Sequence, residues 1–226
     1  ASNNQSRLAV RLNGLRTKQG LADVSALLAS NAHLQAIVLP KVESAEELAF
    51  FHAWAGDRCA YVVALIESPL GIEHAASIAA AARGAAPSLG ALMLGGADLS
   101  SELGAAFDRD GLAWARARLV NAARSAGLQV WDVPHLDVHN LEALADDTRH
   151  VARLGFDAKA AIHPSQVSVI HSALAPTQAD VLWATKLLSA YQQRNSEDSG
   201  AFLFEGQMID APVLARARRI LARSNV

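Results

Sequence analysis

Only one cysteine, Cys59, occurs in this chain. A single thiol excludes an intramolecular disulfide and suits a reducing compartment, so the expected location is cytoplasmic. Cys59 follows Arg58 beside an apolar run and reads as a core residue rather than a reactive one. Long runs of one charge are also missing: 20 Lys plus Arg stand against 22 Asp plus Glu, for a net charge of -2. Nothing here has the footprint of a nucleic-acid or membrane-surface binder, and a small-molecule or protein partner is expected. No apolar stretch approaches the roughly 20 residues of a membrane span, and no charged-then-apolar leader opens the sequence. The first residues, ASNNQS, read as a frayed start or a cloning remnant. No Cys/His spacing suggests zinc.

What is present is 226 residues with 51% hydrophobic content, enough for one large domain with a sizeable core. Short apolar runs alternate with longer segments of helical spacing. Strands are expected at 8–13, 35–42, 60–68, 89–96, 128–133 and 157–164. Helices are expected near 21–30, 44–55, 71–85, 110–126 and 138–154, with Ser44 and Glu47 as a capping box and Gly127 as a stop. Near-continuous apolarity in the strands implies burial on both faces, and the alternation implies an α/β fold with a parallel sheet. Past residue 164 two helices, near 165–173 and 177–193, lead into the polar QQRNSEDSG and then a basic amphipathic helix. The expected division is a barrel-type domain over 1–195 and a C-terminal helical arm over 196–226.

Active sites of parallel α/β folds gather at the carboxyl ends of the strands. Those ends carry Arg11, Lys41 with Glu43, Glu67, Asp98 through GGAD, Asp132 with His135, and His163. Glu67 and Asp98 follow successive strands, and two carboxylates completed by water and substrate oxygens are the usual cradle of Mg²⁺. Gly95 and Gly96 leave backbone N–H groups accessible for an anionic oxygen. Arg11 offers a two-pronged grip for a carboxylate. Together these residues describe a site for a small carboxylate with a second metal-binding oxygen, such as a 2-oxo acid. Plainer readings stand beside this one. Glu67 is a solvated strand end, Asp98 the N-cap of a helix starting at Leu99, Arg11 a partner for any acid, and His163 a satisfied loop residue. His52, His74 and His150 read as surface residues.

The stretches VRLN, VLPKVESAEEL, ALIESPLGI, LGGADLSSELG, GFDAKAAIHPSQV and GQMIDAPVLARARRIL occur in this order along nearly the whole chain. A lone GGAD carries little, but the ordered set resembles the citrate lyase β-subunit-like family. Malyl-CoA and citramalyl-CoA lyases belong to the same aldolase and lyase superfamily. The resemblance implies a TIM (β/α)8-type barrel whose members cleave a 3-hydroxyacyl thioester to an acyl thioester and a 2-oxo acid, or run the reverse condensation. It implies Mg²⁺ on Glu67 and Asp98, and a catalytic and substrate-binding role for Arg11 on the oxo-acid carboxylate. An anion clamp is implied along Gly96, Ala97 and Asp98. Asp210 is similar to an aspartate that some members supply as acid/base from the C-terminal arm to a neighbouring subunit. Its alternative is a helix N-cap ahead of Pro212. A homo-oligomer, a trimer or a pair of trimers, is implied with it.

The sequence also departs from that pattern. Six strands are legible where a barrel of this kind has eight, because no VPG-like turn and no LED-like strand end precede LAVRLN. The expectation is a piece of a longer chain, the alternative a fold completed in another way. NGLRTKQG also replaces the usual proline and tryptophan, which bears on thioester contacts. Three functions follow: a Mg²⁺-dependent carbon–carbon lyase on a CoA thioester, a citrate lyase β subunit acting on an acyl-carrier protein, or a silent assembly partner. Arg11, Glu67, Asp98 and Asp210 argue against the last, since a silent homologue has no reason to keep all four.

Overall fold

The computed structural model describes residues 8–30, 34–56, 59–193 and 201–224. The opening ASNNQS and the stretch 194–200, which holds the expected 195/196 boundary, lie outside them. Six strands pair in sequence order into one parallel sheet: β1 (Ala9–Arg11), β2 (Ala36–Leu39), β3 (Val62–Ile66), β4 (Leu89–Leu94), β5 (Gln129–Asp132) and β6 (Ala158–Lys159). Between them run α1 (Lys18–Ala29), α2 (Ala45–Ala55), α3 (Pro69–Glu73), α4 (Ala75–Ala80), α5 (Gly96–Leu103), α6 (Ala113–Ala126) and α7 (Leu141–Leu154), and α8 (Pro164–Leu174) follows β6. The sheet curls as part of a barrel, with β1 and β6 as its edges among the described residues.

Burial on both faces explains the apolar runs. All five residues of β3 are buried. Val62, Ala64 and Ile66 join the core against the helices, with Phe51 of α2, Ile78 of α4 and Leu119 of α6. Val63 and Leu65 are equally buried but, by the period of two, stand on the opposite face. Cys59, 2% exposed, is a core residue whose thiol donates to the Tyr61 carbonyl at 3.3 Å. Caps set the helix limits: Ser44 accepts from the Glu47 N–H at 3.4 Å, and Gly127 ends α6 at φ 76°. Three elements differ from expectation. The helix expected over 71–85 is α3, α4 and a 3₁₀ turn at Ala81–Arg83, ended by Gly84. The last strand shrinks to two residues, and α5 begins at Gly96 instead of Leu99.

By packing, residues 1–170 and 171–226 form two compact units. This division lies upstream of the boundary read from the polar stretch, because α9 (Gln178–Gln192) shares a core with the C-terminal helix α10 (Ala211–Ser224). Ala184 and Leu187 meet Leu214 and Ala217 there. The second unit is also more than helical. β7 (Phe202–Phe204) and β8 (Gln207–Ile209) form an antiparallel hairpin. Its turn residues Glu205 and Gly206 both have positive φ, 47° and 79°, the pattern whose twist suits a tight hairpin. No helix among the described residues is long and apolar enough to cross a membrane.

Candidate functional site

Backbone hydrogen bonds to the end of β3 continue on both sides beyond the neighbouring strands β2 and β4. Val42 N–H donates to the Leu65 carbonyl at 3.2 Å, and Gly95 N–H donates to the Ile66 carbonyl at 2.8 Å. Glu67 therefore sits between Lys41 and Gly95 at the carboxyl edge of the sheet. It is only 7% exposed. Its Oε1 accepts the Lys41 backbone N–H at 2.9 Å. A Cβ on Gly95 would fall 2.3 Å from the Glu67 Cβ and 2.8 Å from Oε2, so glycine there makes the space that the carboxylate occupies.

Asp98, in the first turn of α5, is exposed and lies near enough to Glu67 for its charge to act on that carboxyl. Burial first, then the nearby charge of Asp98, push the Glu67 carboxyl up from its ordinary 4.5 to about 7. The Lys41 N–H and the Lys41 charge pull weakly the other way. An ionised carboxylate that is buried beside a second negative charge is costly unless a cation neutralises it. The pair therefore fits a hard divalent ion. Among the described residues no group of three or more His, Cys, Asp or Glu side chains gathers to hold a metal. A two-carboxylate set completed by water and substrate oxygens is what Mg²⁺ prefers.

Beside the pair, α5 opens with the backbone N–H groups of Gly96, Ala97 and Asp98, which precede the first intrahelical bond from Leu99 to the Gly95 carbonyl at 3.2 Å. Such N–H groups attract an anionic oxygen. The two glycines differ from the sequence reading. The Gly95 N–H is committed to the ladder. Gly96 is small for packing, since a Cβ there would lie 2.8 Å from Leu112 and Val133 and 2.9 Å from Phe107. Asp98 is not an N-cap: Gly95 holds that position, with no side-chain cap.

Arg11 ends β1, exposed, in register with Val38 and through it with Val63. By alternation it shares the sheet face of Val63, Leu65 and Glu67. Asp132 departs from the strand-end ring. It is fully buried on the helix side, where Arg116 of α6 donates to it at 3.0 and 3.2 Å and Lys159 at 2.6 Å. Lys159 also reaches Asp147 of α7 at 2.6 Å. His135 uses its backbone carbonyl to accept from Gln166 at 2.9 Å. His163 is a loop histidine that accepts from the Ser165 N–H at 3.2 Å. His74 is exposed, while His52 and His150 are half-buried. Asp210 belongs to the second unit, where its carboxylate accepts from the Val213 N–H at 3.4 Å at the start of α10. Two partners escaped the sequence reading, Arg16 and Ser68, both of which bond Glu43. These bonds hold the Glu43 carboxyl below the usual carboxylate range.

Comparison with known proteins identifies the family. Residues 1–164 match the HpcH/HpaI aldolase/citrate lyase family. A citrate lyase subunit beta-like protein of Mycobacterium tuberculosis is 36% identical over 96% of this chain and 76% of its own length. The mitochondrial citramalyl-CoA lyase of Rattus norvegicus is 28% identical over 94% of this chain and 67% of its own length. Among solved structures, CitE from Mycobacterium tuberculosis in complex with magnesium, acetoacetate and coenzyme A superposes with a TM-score of 0.79 at 33% identity. That match covers 96% of this chain and 78% of the other. RipC from Yersinia pestis gives 0.73 at 40% identity, covering 77% and 80%. The chain thus spans about two thirds to four fifths of these relatives. It belongs to the HpcH/HpaI aldolase/citrate lyase family.

Proposed function

We propose that this chain carries the site of a magnesium-dependent carbon–carbon lyase. Its substrate is a 3-hydroxyacyl-CoA of the malyl, citramalyl or citryl kind, and its products are an acyl-CoA and a 2-oxo acid. The observation that carries the proposal is the buried Glu67 carboxylate with Asp98 beside it at the sheet's carboxyl edge. Relatives named as lyases, and the relative solved with magnesium, acetoacetate and coenzyme A, support it.

Mg²⁺, held by Glu67 and Asp98 when bound, supplies a Lewis acid for the hydroxyl oxygen that becomes the ketone. Arg11 grips the carboxylate of the oxo-acid half with paired hydrogen bonds. The Gly96 to Asp98 N–H groups hold a second anionic oxygen and fix the substrate's orientation. In cleavage a base takes the hydroxyl proton, the carbon–carbon bond breaks, and its electron pair passes into the thioester enolate. Protonation of that carbon yields the acyl thioester. We assign the base to Asp210 of a neighbouring subunit, which makes the active form a homo-oligomer, trimeric or a pair of trimers.

A second reading, a citrate lyase β subunit acting on a citryl-acyl-carrier protein, draws support from the Escherichia coli citrate lyase subunit beta, 32% identical over 96% of this chain. The test is 2-oxo acid release from citramalyl-CoA, malyl-CoA and citryl-CoA, with and without Mg²⁺, for the parent, Glu67→Ala and Asp210→Ala. Metal-dependent release lost in Glu67→Ala is the expected result. No release from any CoA substrate by folded, metal-loaded protein would refute the CoA reading and leave the carrier-protein subunit or the silent assembly partner.

A further inference from the structure

Lys41 is one of two non-glycine residues with positive φ among the described residues, at 55°, and it stands where β2 meets Glu67. A side chain in this left-handed region is strained, and such a conformation persists only where the surroundings fix it. Those surroundings are explicit. Arg16, from the loop before α1, donates to the Lys41 carbonyl at 3.3 Å and to Glu43 Oε2 at 2.5 Å, and pairs with Glu47 at 3.4 Å. Glu43 Oε1 accepts from Ser68, the residue after Glu67, at 2.5 Å. The Glu43 carbonyl lies 2.8 Å from His74 Nδ1. The following peptide is locked as well, through the Val42 bond to Leu65 at 3.2 Å. Lys41 is thus held from both sides.

The twist has a consequence at Glu67. It turns the Lys41 N–H out of the ladder and onto Oε1 at 2.9 Å. With Oε1 engaged, Oε2 is the oxygen left over Gly95, on the side of α5 and Asp98.

We propose that Arg16, Glu43 and Ser68 form a positioning clamp that keeps Lys41 left-handed, so that its backbone N–H holds one oxygen of Glu67 and presents the other to the metal. This rests on the metal reading of Glu67 and Asp98 given above. None of the three clamp residues touches the metal; they act through the backbone of Lys41. The Lys41 side chain plays no part in the clamp.

That last point makes the proposal testable, because glycine adopts φ 55° without a clamp. The experiment measures Mg²⁺ affinity by calorimetry for the parent, Arg16→Met, Glu43→Gln, Lys41→Gly and the Arg16→Met/Lys41→Gly double variant. Alongside it, exchange of the Lys41 amide is followed by NMR in metal-free protein. Removing a residue that orients a metal ligand typically weakens affinity about 10–100-fold, and that loss is expected for Arg16→Met, with faster Lys41 exchange. Glu43→Gln keeps a hydrogen-bonding side chain and is expected to lose less. Lys41→Gly is expected to bind Mg²⁺ at least as well as the parent, and the Arg16→Met loss is expected to shrink in its background. An equal Arg16→Met loss in both backgrounds, or no loss in either, would overturn the clamp. A parent that fails to bind Mg²⁺ while its Lys41 amide is protected by Arg16 would instead overturn the metal reading and leave only a structural clamp.

Discussion

Replacing Glu67 by Gln should make the metal-free protein clearly more stable at pH 8 and only slightly more stable at pH 5. Gln keeps an oxygen for the Lys41 N–H and removes only the charge. In the folded chain burial and Asp98 raise the Glu67 carboxyl from 4.5 to about 7. Between those two values the folded state keeps a proton that the unfolded state has released, so stability falls as pH rises through the window and levels off above it. At 1.36 kcal/mol per pH unit the gap corresponds to about 3 kcal/mol in favour of the variant at pH 8. For a chain of this size that is a difference of about 6–12 °C in Tm. The assay is thermal unfolding of parent and variant in chelator from pH 4.5 to 8.5, taking the difference so that other titrations cancel. Mg²⁺ should reverse the order: saturation 1,000-fold above Kd adds about 4.1 kcal/mol to the parent, more than the pH 8 gap, with little effect on the variant. Parallel Tm curves across the whole pH range would refute the account of Glu67 as a carboxylate suppressed by burial and Asp98.

Gly95→Ala should disable the site more than the fold. Its Cβ would fall 2.3 Å from that of Glu67, and overpacking of this kind costs about 1–3 kcal/mol; Mg²⁺ titration together with chemical denaturation checks both parts. Asp132→Leu should destabilise far more, because it leaves Arg116 and Lys159, whose side chains are 3% and 0% exposed, with Asp147 as their one remaining shared carboxylate. Breaking a buried pair costs about 3–5 kcal/mol, read as a fall in denaturation midpoint, and adding Lys159→Met should recover part of it by removing the excess buried cation and leaving Asp147 to Arg116.

Much of the site was legible because its residues interrupt a strong pattern. A strand as apolar as Val62–Ile66 has no local reason to end in a carboxylate, and Glu67 stood out for that reason. Asp98 stood out through GGAD in the same way. Asp132 misled because period-two alternation in a strand buried on both faces does not say which face meets the helices; only Arg116 and Lys159, brought from other elements, show it. The hairpin at 202–209 was missed because each strand is three residues long, too short to show a period.

What the sequence determined by itself was the order of strands and helices, the parallel sheet, and two carboxylates at successive strand ends. These follow from local hydrophobic spacing and from single residues that break it. Tertiary structure decided the rest: the left-handed turn at Lys41, the separate tasks of Gly95 and Gly96, the partnership of Arg16, Glu43 and Ser68, and the raised proton affinity of Glu67. Each of these depends on which distant groups come within a few ångströms, and on how much water they displace, neither of which is a property of neighbouring residues in the chain.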